Sequence, residues 1–167
     1  HTAHATREEA LKMVYAMLNE YKQLAEELLA IPVIVGEKTP HERFAGGEIT
    51  TTIEGLMGDG KALQMGTSHL LQQSFPASFD VSFQSEDGTA KTPWCTSWGA
   101  TTRLIGALVM VHGDEKGLVL PPRIASTQVV IVPIGAKDDL INAKAEAHEL
   151  ASLLRQAGVR VLVDDND

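Results

Sequence analysis

Reactive sulfur and aromatic residues are scarce in this chain, which carries one cysteine, Cys95, and only 5% Phe, Trp and Tyr among 167 residues. One thiol cannot close an internal disulfide, so the expectation is a reducing compartment, the cytoplasm. No apolar run approaches the roughly 20 residues of a membrane-spanning helix, and no basic–apolar–small-residue leader opens the sequence. There is no Lys/Arg block and no basic–aromatic interleaving. The net charge of −8 disfavours nonspecific binding to polyanions but leaves room for specific RNA contact through a local patch. The sequence also lacks a phosphate-cradling glycine loop, a paired-cysteine zinc signature, a glycine-flanked nucleophile and a His-Glu-x-x-His pair, and no metal site is expected. What is present is a globular composition, 44% hydrophobic and 22% charged, sized for one domain and part of a second.

The chain does not open on methionine, and it closes on an apolar run, 159–163, followed by an acidic tail, 164–167; both ends read as cuts. Thr6 and Glu9 form a capping-box pattern, and Leu11, Val14, Leu18, Tyr21, Ala25 and Leu28 then recur at helical spacing, which predicts a long amphipathic helix ending near Leu29. Residues 31–36 read as a short buried strand, 37–47 as a polar surface loop and 48–57 as a threonine-rich strand. The turn Gly58-Asp59-Gly60 returns the chain as a partner strand over 61–65. A short helix near 69–75, strands at 79–84 and 93–97 and a mostly buried helix over 101–111 complete an α+β pattern, an antiparallel sheet flanked by helices. Pro121-Pro122 marks a stiff linker, 121–127, between a first domain, 1–120, and a second, 128–167. In the second, the β-branched run 128–134, the helix 138–156 closed by Gly158, and the strand 159–163 read as a βαβ unit with a parallel, doubly covered sheet.

Three groups of polar residues stand out. Gln64-Met65-Gly66-Thr67-Ser68-His69 presents an amide, hydroxyls and an imidazole at an expected strand-to-helix junction, where helix amides favour an anionic ligand; simple capping by Thr67 or Ser68 explains the same pattern. In Cys95 to Arg103, an arginine opens an apolar helix against the macrodipole, which suggests a bound anion, with a core carboxylate partner as the structural alternative. Lys38-Thr39, Glu42 to Gly47 and Thr50 to Glu54 form a third group that by itself reads as a solvated loop entering a threonine-rich strand, its repeated hydroxyls equally explained by the strand propensity of threonine.

The order of these groups, with His1-Thr2-Ala3-His4-Ala5-Thr6 before them, resembles prolyl-tRNA synthetases of the archaeal/eukaryote-like type. The motifs His112-Gly113-Asp114, Gly117-Leu118-Val119-Leu120-Pro121-Pro122 and Gln128-Val129-Val130-Ile131-Val132-Pro133 extend the resemblance to nearly the whole chain. It implies part of a class II catalytic core, from the end of motif 2 through motif 3, followed by the truncated start of an α/β anticodon-binding domain. It also implies ATP with Mg2+, L-proline and tRNA(Pro) as substrates, and a homodimer for a full-length protein. Arg103 matches the motif 3 arginine on the ATP phosphates and is the implied catalytic residue. Gln64, Thr67 and Thr101 match ATP-contacting positions, while His1, His69, Ser97, Trp98 and Gly99 match the proline pocket. Gln72, Ser74 and Cys95 depart from the family's usual residues beside that pocket. The implied function is proline–tRNA ligation, with little activity expected of this piece alone. The rival is a synthetase-like paralogue that binds or edits without activating an amino acid.

Overall fold

The computed structural model describes residues 1–165, leaving aside the side chains of 137 and 138, so the last two residues of the acidic tail lie outside the described residues. The chain separates into two units, His1–Val119 and Leu120–Asp167.

In the first unit, strand β1 (Thr2–His4) precedes helix α1 (Arg7–Gln23), whose last turns continue as a π-helix over Leu24–Leu28. Thr6 caps α1 as expected, its Oγ1 accepting from the Glu9 N–H at 3.2 Å, while the Ala5 N–H donates to Glu9 Oε2 at 3.2 Å. Strands β2 (Ile34–Glu37), β3 (Gly47–Leu56) and β4 (Ala62–Leu71) follow, then a single-turn helix α2 (Ser74–Ser78) and the hairpin β5 (Phe83–Gln84) and β6 (Ala90–Lys91). Strand β7 (Trp94–Ala100), helix α3 (Arg103–His112) and the hairpin β8 (Gly113–Asp114) and β9 (Gly117–Leu118) complete the unit. One antiparallel sheet runs in the order β1-β7-β4-β3-β2.

Helix α1 covers one face of that sheet. Val14 and Ala10 pack with Leu70, Ile49 and Trp94, while Leu18, Tyr21 and Ala25 pack with Ile31, Ile53 and Met65. Gly66 lies under the helix, since a Cβ there would sit 3.2 Å from the Tyr21 ring. Gly66, Ser68 and Leu70 therefore face α1, and Thr67 and His69 face the opposite side. A β-bulge interrupts the β3–β4 pairing, because Ile53 pairs with Gly66 but Glu54 pairs with Gln64, leaving Met65 as the extra residue.

Several expectations give way. The expected helix near 69–75 is absent: β4 runs through Gly66-Thr67-Ser68-His69 to Leu71, because both β3 and β7 pair with it there, and the helix waits until Ser74–Ser78. Neither the capping nor the helix-amide reading of Thr67 and Ser68 survives. The strand expected at 79–84 is reduced to Phe83–Gln84, and β7 extends three residues past the expected end at 97. The expected buried strand at 31–36 forms at Ile34–Glu37 as an exposed edge, paired on one side only, with burial confined to Ile31. Helix α3 is mostly exposed; only Ala107 and Leu108 are buried, because one face alone meets the sheet.

The second unit contains β10 (Val129–Ile131), α4 (Lys137–Gln156) and β11 (Val161–Val163). The two strands pair in parallel, the expected βαβ connection. They are shorter than expected and not doubly covered: Val130, Val132 and Leu162 are exposed, since α4 packs on one face only. Arg160 holds the preceding segment through hydrogen bonds to the carbonyls of Pro122, Arg123 and Ala125.

Candidate active site

Cross-strand register sets the polar face. Thr52, Thr67 and Gly99 align across β3, β4 and β7, and Thr50, His69 and Ser97 align one pair further along. In antiparallel sheets such partners share a face, so these two rows point together away from α1.

A cleft of about 90 Å3 opens at the end of β4 and β7, lined by Gln64, Met65, Gly66, Thr67, Gly99, Thr101 and Arg103. All the expected ATP-contacting residues meet there. Arg103 Nη1 donates to the Gln64 carbonyl oxygen at 3.2 Å, and the Arg103 backbone N–H donates to Thr101 Oγ1 at 3.2 Å. No carboxylate pairs with Arg103 among the described residues, so the core-carboxylate alternative does not hold. An exposed guanidinium with most of its donors open is suited to bind oxyanions in a forked arrangement.

On the other side of Gln64 and Thr67 lies a cavity of about 270 Å3, walled also by His69, Thr50, Phe44, Lys38 and Glu42. His69 Nδ1 is 3.0 Å from Thr50 Oγ1 and Nε2 is 3.0 Å from Thr67 Oγ1. The Phe44 ring lies against the imidazole with centroids 5.1 Å apart. Burial, helped by the nearby Lys38 ammonium, pushes the His69 pKa below its ordinary value, so the ring is neutral at physiological pH. A third, largely apolar groove of about 480 Å3 adjoins through Phe44 and includes His1, Ser97, Cys95 and Phe75. Burial raises the Cys95 thiol pKa, which disfavours the thiolate a nucleophile needs.

The expected proline-pocket residues are thus divided. His69 faces the middle cavity, His1 and Ser97 line the groove beyond it, and Gly99 belongs to the Arg103 cleft. Trp98 pairs with Ser68 and so turns its side chain to the α1 face; its Nε1 and Ser68 Oγ are both buried without a hydrogen-bond partner. Period-two alternation through 97–99 carried that signal once the strand was extended. Phe44 and Thr50 enter the site from the group that also reads as a solvated loop. Their signal was the shared parity of Thr50 and Thr52 on β3.

Residues 128–167 match the family described as Anticodon binding domain. Across all of its length the chain is 54% identical to the proline–tRNA ligase of Chlorobaculum tepidum. This chain resembles a proline–tRNA ligase throughout. Proline–tRNA ligase 2 of Clostridioides difficile is 53% identical, again over the whole chain. The chain spans about a third of the length of these curated relatives, 34% of each. A crystal structure of prolyl-tRNA synthetase from Cryptosporidium parvum, complexed with L-proline and AMP, superposes with a TM-score of 0.87 at 48% identity, covering 98% of this chain and 36% of that one.

Proposed function

We propose that this chain forms the ATP- and proline-facing wall of a class II proline–tRNA ligase and leads into the start of its anticodon-binding domain. In this reading residues 1–120 belong to the catalytic core, 121–127 to a linker and 128–167 to the RNA-binding domain. The observation that carries the proposal is the cleft in which Gln64, Thr67, Thr101 and Arg103 converge, Arg103 having no carboxylate partner among the described residues. The proline and AMP bound by the similar Cryptosporidium protein support a nucleotide and an imino acid as the ligands.

The reaction has two steps. The proline carboxylate attacks the α-phosphorus of ATP, giving prolyl-adenylate and pyrophosphate. A ribose hydroxyl at the 3′ end of tRNA(Pro) then displaces AMP. Neither step needs a protein nucleophile, so the residues act by positioning and by stabilising charge. Arg103 offers its planar fork to the phosphate oxygens, where negative charge builds on the departing pyrophosphate. Gln64, Thr67 and Thr101 supply uncharged hydrogen-bonding groups around the same cleft. A neutral His69 can meet the ammonium of the incoming proline without charge repulsion. Magnesium enters as part of the nucleotide complex; among the described residues no three His, Cys, Asp or Glu side chains converge as a metal site. On the same resemblance we assign the full-length protein to the cytoplasm and to a homodimer; among the described residues no helix is long and apolar enough to cross a membrane.

The test is proline-dependent ATP–pyrophosphate exchange by the full-length protein carrying this chain. Arg103→Ala is expected to lower exchange by on the order of 10²-fold or more, as loss of a charged transition-state donor does. Arg103→Lys is expected to remain impaired, since it keeps the charge and loses the fork. Near-normal exchange in the alanine variant would sink the assignment. A wild-type protein that binds proline but exchanges no pyrophosphate would instead be a paralogous binding module.

A further inference from the structure

Three consecutive threonines on β3 are buried, but their hydroxyls do different things. Thr51 Oγ1 donates to the Ser68 carbonyl at 2.9 Å, and Thr52 Oγ1 lies 3.3 Å from the Gly66 carbonyl, both within the sheet. Thr50, 1% exposed, instead directs its hydroxyl out of the sheet. Its Oγ1 accepts from the Phe44 N–H at 3.1 Å and meets His69 Nδ1 at 3.0 Å. Its backbone carbonyl accepts from the Lys38 N–H at 2.8 Å. One residue therefore fastens both ends of the loop 38–44 and, through the same oxygen, the His69 imidazole.

The hydroxyl proton of Thr50 gives these bonds a direction. The Phe44 N–H can only donate, so among the described residues His69 Nδ1 is the acceptor within hydrogen-bond reach of this buried hydroxyl, and donation to it leaves neither group unsatisfied. The imidazole proton then sits on Nε2, where it donates to Thr67 Oγ1 at 3.0 Å. Phe44, fixed by its N–H, stands tilted against that ring at a centroid distance of 5.1 Å.

We propose that Thr50 is a positioning residue of the amino-acid subsite: its hydroxyl holds His69 in one orientation and one tautomer while seating Phe44 against it. Loop 38–44 and the His69 wall then move as one piece. This rests on the reading of the site as an adenylate-forming proline site, and strand propensity for threonine explains neither the outward hydroxyl nor its two partners.

The experiment uses the full-length protein with Thr50→Val, which removes the hydroxyl at nearly constant volume, and Thr50→Ser, which retains it. In pyrophosphate exchange, Thr50→Val is expected to raise KM for proline about tenfold, the scale of a lost buried hydrogen bond, and KM for ATP by less than about twofold. Thr50→Ser is expected to recover most of the loss. Equal rises in both KM values, or a serine variant as impaired as the valine one, would mean general loosening and would overturn the proposal. Independently of catalysis, nitrogen NMR of histidine-labelled wild-type protein is expected to report His69 protonated at Nε2 alone, and Thr50→Val to mix the tautomers. A wild-type ring already mixed, or protonated at Nδ1, overturns the proposal even where the valine variant does not fold. A wild type without exchange but with the expected tautomer would remove the ligase reading and the proline role together, leaving only the imidazole lock.

Discussion

His69 is kept uncharged by its surroundings, and that makes its response to acid specific. Its pKa is lowered chiefly by burial and further by Lys38, so between the unfolded value near 6.5 and the lower folded value the unfolded chain binds more protons. Stability then falls as pH drops through that window and recovers as pH rises out of it. Proline binding is expected to follow: KM for proline should rise as pH is lowered from about 7 toward 5, and His69→Gln should flatten that dependence in exchange assays. Arg103, Thr101, Gln64 and Thr67, which the resemblance groups together, do converge on one cleft. Which way each side chain turns was less readable. The resemblance puts Trp98 with Ser97 and Gly99 in the pocket, yet alternation sends it to the helix side, where its indole N–H is buried without a partner among the described residues.

At the scale of elements, helix α1 was legible nearly to the residue, because its start signal and its apolar spacing agree. That agreement can be measured. Thr6→Ala removes the acceptor for the Glu9 N–H and is expected to destabilise the first unit by about 1 kcal/mol, seen as a lower denaturation midpoint, while Thr6→Ser stays close to the original. Locally, Gly66, Thr67 and Ser68 favour turns and caps, whereas two flanking strands supply residues 66–71 with a full set of ladder partners. Helix α3 departs from expectation for another reason. Its run of Leu104, Ile105, Ala107, Leu108 and Val111 predicts burial, but only one face finds the sheet and Ile105 is 62% exposed. Sequence hydrophobicity reports what an element is able to bury, not how much neighbouring surface is within reach.

For the whole molecule, the division into His1–Val119 and Leu120–Asp167 matters more than either fold alone. Among its described residues the second unit has two three-residue strands and one helix, and it leaves Ile134, Ile141 and Leu153 largely exposed. So little buried surface supports only marginal stability. Heating the 167-residue chain is expected to give two transitions, the second unit melting first. Its amides should exchange with deuterium well before those of β3, β4 and β7, and a single coincident transition by both probes would contradict this. The unit boundary falls just before Pro121-Pro122, and Pro121 itself is buried. The bulge at Met65 has a different consequence, one of phase. Gln64 and Thr67 are three residues apart, an odd step that would put them on opposite sides of an ideal strand, yet both line the same two cavities. The extra residue supplies the missing half-step. A single-residue deletion between 64 and 67 would cancel the half-step and leave the Gln64 side of the strand reading out of phase with the site, so tolerance to length change along this chain is set by one buried methionine as much as by its polar residues.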